Sequence, residues 1–153
     1  MKHFGIEEEI TMKVAKRGFR PLGVGEVRMR IPFVKKINHI QLVDEGLVKR
    51  VRGTAAGSKI NPQILNRIVT KAREVLNDYL PDVWIYTDLS KSAKGGVSSG
   101  YSVNLIAETN KDILISVDEA YEDGKTQEDN MPETIGERVA LRLLDELLYV
   151  TFS

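Results

Sequence analysis

Cysteine is absent from this 153-residue chain, and histidine and tryptophan are scarce, at two and one. The first absence excludes disulfides, thiolate metal sites and cysteine nucleophiles. The two histidines, His3 and His39, have no carboxylate or second histidine at ligand spacing, so both read as surface or interface residues rather than a general base or metal ligand. No apolar stretch approaches the roughly 18 residues that a membrane helix needs. Net charge is missing as well, because 22 Lys and Arg balance 22 Asp and Glu. What remains is ordinary globular material, 42% hydrophobic and 29% charged, long enough to bury a core.

The balanced charge conceals a gradient. Residues 1–60 carry a net +7, residues 61–107 a net +1 and residues 108–153 a net −8. A basic front and an acidic rear suit a protein lying between RNA and a protein partner. Folding could equally mix the two signs over the surface, and the sequence leaves both readings open.

Ile10, Met12 and Val14 alternate with Thr11, Lys13 and Ala15, as in a half-buried strand. After a turn-rich stretch at 18–25, Val27, Met29, Ile31 and Phe33 alternate with Arg28 and Arg30. The two segments predict a hairpin with one apolar and one basic face. A further short strand is expected at 40–43, before the Asp44-Glu45-Gly46 turn, and a strand at 47–59. Asn61 can cap a helix and Pro62 suits its first position, where the missing N–H costs nothing. Ile64, Leu65, Ile68, Val69, Ala72, Val75, Leu76, Tyr79 and Leu80 then recur at helical spacing, and Pro81 stops the run. Residues 82–89 (DVWIYTDL) are apolar on both faces, which predicts a central strand; Trp84 and Tyr86 share one of its faces and could stack bases, but in a central strand they read as core. Two more strands follow at 101–107 and 113–117, then an acidic loop and a second amphipathic helix from Pro132. The fold class expected is α+β: a mostly antiparallel four-stranded sheet with both helices on one face, preceded by a hairpin whose core lies elsewhere.

Three basic features qualify as anion or RNA contacts. Arg17 and Arg20 flank glycines in the turn 17–27, where converging backbone N–H groups could hold an anion. That turn lacks the Lys-Ser/Thr pair and following helix of a P-loop, and a hairpin loop with glycines at positive φ is the simpler reading. Lys91 and Lys94 lie in a Ser/Gly loop that could grip phosphates, or could be a plain mobile surface loop. Lys49, Arg50 and Arg52 form the densest cluster, although on a strand only Arg50 and Arg52 share a face, and a solvated strand is the simpler reading. Arg28 and Arg30 on the hairpin complete the candidates. Residues 118–123 are acidic but lack the order of a calcium loop, and read as a solvated face. No constellation completes an active site, so neither catalytic residues, metal nor cofactor are expected.

Several segments together resemble the RNA 3′-terminal phosphate cyclase family. They are the Arg17–Val27 turn, Lys49-Arg50-Val51-Arg52-Gly53, Asn61-Pro62-Gln63 with Asn66-Arg67, residues 81–88 and Leu105-Ile106-Ala107-Glu108-Thr109. Tyr86-Thr87-Asp88 and the Ser/Gly loop look like the cyclase-like branch. Two departures stand out: Val24 interrupts the family's glycine triplet, and Val97 and Ser99 replace the branch's usual lysine and proline. The resemblance implies a central fragment, with residues 1–45 ending a large-domain repeat, 47–148 forming an insert domain and 149–153 a tail. It implies no cyclase activity, since the histidine nucleotidylated in true cyclases has no counterpart here. It further implies ribosome biogenesis in the nucleolus: pre-ribosomal RNA processing and small-subunit assembly beside a large nucleolar GTPase, a small nucleolar RNP and other processome proteins, with no membrane. The alternative it leaves is a fragment of an ATP-dependent cyclase.

Overall fold

The computed structural model describes residues 4–6, 10–91 and 95–151. Alternating apolar and basic residues build the first two strands, β1 (Thr11–Lys16) and β2 (Glu26–Arg30), which pair antiparallel. Met12 faces Met29 and Val14 faces Val27 on one side, while Lys13 faces Arg28 on the other. The expected strand at 40–43 does not form. Leu42 and Val43 are exposed there, and an extended segment without a hydrogen-bonding neighbour is not a strand.

The main unit begins at β3 (Val48–Ser58) and continues through α1 (Pro62–Asn77), β4 (Val83–Ser90), β5 (Gly100–Thr109), β6 (Leu114–Ala120) and α2 (Pro132–Thr151). The helix start at α1 forms as its residues dictate: the Asn61 side chain accepts the Gln63 N–H at 3.0 Å, with Pro62 in the first turn. The sheet order is β4-β3-β5-β6, with β3–β4 parallel and the other two pairings antiparallel. The crossover from β3 to β4 through α1 is a βαβ unit. α2 runs past residue 148, the end expected for the insert, to Thr151.

Both helices cover one face of this sheet. Val51, Ala55, Val103 and Leu105 point into it from the strands, and meet Leu65, Ile68 and Leu76 of α1 and Ile135, Val139 and Leu143 of α2. Burying each of the valines, leucines and isoleucines among them is worth about 1.5–3 kcal/mol relative to exposure. Beside this core the helices touch backbone to backbone. A Cβ on Gly136 would stand 2.6 Å from the Ile68 carbonyl oxygen, inside van der Waals contact. In an exposed helix, replacing glycine by alanine stabilises by about 1 kcal/mol. At Gly136 the steric term opposes that gain and is the larger one, since neither backbone can yield without moving a whole helix. Gly136→Ala is therefore expected to lower the denaturation midpoint in urea, and a midpoint raised by the substitution would contradict the packing described.

Candidate nucleic-acid interface

The second face of the four-stranded sheet has no helix on it among the described residues. Strand alternation sends Arg50, Arg52 and Thr54 of β3 to this face, with Trp84, Tyr86 and Asp88 of β4 on one side of them and Asn104, Ile106 and Glu108 of β5 on the other. β4 lies at the sheet's edge, not at its centre, and this corrects the expectation that Trp84 and Tyr86 are core. They remain 54% and 58% exposed. Val83 and Ile85 supply the buried side of the strand, and the two amphipathic rings, each with a polar tip, tolerate water on the other. Their centroids are 6.0 Å apart with the planes inclined at 64°.

Each arginine on or beside this face is held by a carboxylate. Arg52 makes two bonds to Asp82, at 2.9 and 3.1 Å. Arg50 reaches Glu108 at 2.6 Å, and Arg17 reaches Asp88 at 2.6 and 3.2 Å. The hydrogen bond from Arg52 holds the Asp82 carboxyl below its ordinary range and raises the guanidinium's own affinity for its proton. Arg50 lowers Glu108 in the same way.

At one end of the sheet the glycine turn and the Ser/Gly loop lock together. The Gly96 N–H donates to the Arg17 carbonyl at 2.5 Å, the Leu22 N–H to Ser98 Oγ at 3.0 Å, and Lys59 Nζ to the Val97 carbonyl at 2.8 Å. Within the turn, the Gly23 N–H donates to the Phe19 carbonyl at 2.8 Å. A Cβ on Gly18 would meet the Gly25 nitrogen at 2.5 Å, so the turn closes only without a side chain there. Gly95 lies over Ser58, covering the last residue of β3 on the otherwise open face. The portion of the loop at 95–100 is thus a clasp, and this corrects the expectation of a plain mobile surface loop.

The sequence candidates therefore separate into groups. Arg17, Arg50 and Arg52 come together around the open sheet face. Arg28 and Arg30 lie on the hairpin's basic face, where Arg28 pairs with Glu26 at 2.7 Å. Arg20 is exposed in the turn, Lys49 and Lys91 are exposed at opposite ends of the main sheet, and Lys94 lies outside the described residues, as does His3. Glu119 in the acidic stretch is engaged by Arg142 at 2.6 Å and Arg138 at 3.8 Å, which makes it structural rather than solvated. Among the described residues no group of three or more His, Cys, Asp or Glu is arranged to hold a metal ion.

Two expectations follow from this geometry. Val24 adopts φ 62°, next to Gly23 at 64°, and is more than half exposed. A left-handed conformation costs an L-residue about 1–2 kcal/mol, more than the roughly 0.5–1 kcal/mol of extra unfolded-state freedom that glycine brings. Val24→Gly is expected to raise the melting temperature, and a fall would mean that the valine side chain makes a compensating contact. Secondly, Asp82, Glu108 and Glu133 (the last bonded to Arg67 at 2.5 and 2.8 Å) all have folded pKa values below the ordinary carboxylate range. Their contribution is complete above the unfolded carboxylate values, near about pH 4, and is lost as pH falls through the depressed folded values. The combined Asp82→Asn, Glu108→Gln and Glu133→Gln variant should melt lower at neutral pH and lose less on acidification. Parallel acid slopes for the variant and the parent chain would contradict the assignment.

Sequence comparisons bear on this fold directly. The model of the RNA 3′-terminal phosphate cyclase insert domain matches residues 43–148. The chain is 41% identical over 144 residues to a probable RNA 3′-terminal phosphate cyclase-like protein of Drosophila melanogaster, covering 93% of this chain and 38% of the relative. It is 39% identical over 148 residues to the RNA 3′-terminal phosphate cyclase-like protein of Homo sapiens, covering 96% and 40%. It is also 39% identical over 145 residues to the rRNA processing protein rcl1 of Schizosaccharomyces pombe, covering 94% and 39%. The chain thus spans about 40% of the length of these curated relatives. With the family's insert-domain model matching more than half of this chain and cyclase-like proteins as its relatives, the chain belongs to the RNA 3′-terminal phosphate cyclase family.

Proposed function

We propose that the polypeptide to which this chain corresponds is a non-catalytic ribosome biogenesis factor, acting in pre-rRNA processing and assembly of the small ribosomal subunit. The observation that carries this reading is the 39% identity, over nearly the whole chain, to a protein named for rRNA processing. Its partners on this reading are pre-ribosomal RNA, a large nucleolar GTPase and other small-subunit processome proteins, and its place is the nucleolus. The hairpin fits the division at residue 45: Met12, Val14, Val27 and Met29 form an apolar face that stays exposed, as expected of the end of a larger repeated domain. Arg20, Arg28, Arg30, Lys49 and Lys91 are exposed, and with Lys94 they are the proposed auxiliary phosphate contacts.

Replacing the matching segment of the Schizosaccharomyces pombe protein with this chain tests the role. Pre-rRNA intermediates and mature small-subunit rRNA should remain at parental levels on northern blots, whereas deletion of the segment should accumulate uncleaved precursor. Normal processing after deletion would remove the basis for the role. The absence of cyclase chemistry has its own assay. After incubation with radiolabelled ATP and an RNA 3′-phosphate end, the protein should carry no covalent nucleotide, and a labelled adduct would instead make the polypeptide a cyclase.

A further inference from the structure

The open face of the four-stranded sheet is a feature that neither the helices nor the ion pairs account for. Trp84 and Tyr86 stand two residues apart on β4 with more than half of each side chain in water, although Val83 and Ile85 between and beside them are buried. Burying such rings is worth more than burying most side chains, so leaving two adjacent ones in water forgoes stability. Aromatic pairs exposed at i and i+2 on an open sheet face form a platform on which successive unpaired bases can stack.

The neighbours of the rings narrow the occupant. Thr54 and Asn104 lie in register with Tyr86 across β3 and β5, and Arg52 and Ile106 lie in register with Trp84. Hydroxyl and amide groups can hydrogen-bond base edges, and a guanidinium plane held flat by the bidentate Asp82 pair can itself stack on a base. A protein docking core would need a contiguous aliphatic area, whereas Ile106 is the sole aliphatic side chain in these two cross-strand rows. A duplex-binding tract would need cations in excess, whereas Arg17, Arg50 and Arg52 are each already paired with a carboxylate.

We infer that the open face of the β4-β3-β5-β6 sheet binds single-stranded RNA, with one base stacked on Trp84, the next on Tyr86, and Arg52, Thr54 and Asn104 beside them. This deepens the proposed role in pre-rRNA processing by naming a site and the form of RNA that it takes. Because the arginines are already neutralised, the affinity comes from stacking more than from released counterions, and its dependence on salt is shallow.

Trp84 is the single tryptophan of the chain, so its fluorescence reports on this face alone. Titration of the 153-residue chain with a 12-nucleotide oligouridylate, and with a mixed-sequence strand, should quench that emission. A duplex of the same mixed sequence, and heparin as a polyanion, should leave it nearly unchanged. Fluorescence anisotropy of labelled RNA should show affinity falling about 5- to 100-fold for Trp84→Ala and for Tyr86→Ala, with Trp84→Phe largely restoring it. Both side chains are exposed, so melting temperatures of the variants should stay near the parent's, which separates loss of binding from loss of fold. Undetectable RNA binding at low salt overturns the inference. So does affinity unchanged by either alanine variant, equal binding of duplex, or a protein partner that shields Trp84 from quencher where RNA does not. None of these outcomes touches the processing role, which the segment replacement tests separately; failure there, with ring-dependent binding intact, would leave the platform standing without that role.

Discussion

The close approach of α2 to α1, with Gly136 against the Ile68 carbonyl, is the constraint from which most of the architecture follows. Two helices that touch through backbone form one layer, and one layer covers one face of a sheet. Period-2 alternation in β3, β4 and β5 then divides their residues without compromise. Val51, Ala55, Val103 and Leu105 go under the helices, and Arg50, Arg52, Trp84 and Tyr86 go to the face that no helix covers. The second set is not surplus material. Its residues stand where any register shift of one would bury them, so the alternation secures the core and defines the open face together.

The elements that depend on neighbouring residues were legible in the sequence. Asn61 and Pro62 announce α1 within two positions because capping and the missing N–H are local effects, and the stripe from Leu65 to Leu76 needs no knowledge of what it packs against. The hairpin, with its apolar and basic faces, was legible for the same reason. What could not be read locally was strand order. Residues 82–89 look apolar on both sides, and only the pairing of β4 with β3 alone makes it an edge and puts Trp84 and Tyr86 in water. The missing strand at 40–43 is the same lesson reversed, since its residues are suited to extended backbone but no partner reaches them. Among the candidate site residues, the sharing of a face by Arg50 and Arg52 was legible from spacing, whereas their carboxylate partners 58 and 30 residues away were not.

The charge gradient along the chain is partly offset in the fold. Arg50, from the basic front, meets Glu108 at the start of the acidic rear, and Arg67 meets Glu133. These exposed pairs contribute little stability individually, but they change what the surface offers to a polyanion. A phosphate approaching Arg50 or Arg52 has to compete with a carboxylate already in place. Counting lysines and arginines by segment therefore overstates the attraction of this face for a nucleic acid backbone, and the character of the face is set by its rings.

The glycine turn takes on a different meaning by the same reasoning. Backbone N–H groups can gather around an anion only if they are not already donating. Here the Gly23 N–H is given to Phe19, the Gly96 N–H to Arg17 and the Leu22 N–H to Ser98. Arg17, whose side chain spans to Asp88 on β4 while its carbonyl receives Gly96, ties the hairpin to the sheet from both ends of the residue. The narrowness that the glycines provide lets the two loops approach this closely, and Val24 beside Gly23 stays more than half exposed. The turn is accordingly a joint between two units. The same joint covers Ser58 at one end of the sheet and stops short of Tyr86 and Trp84, leaving the aromatic part of the face accessible.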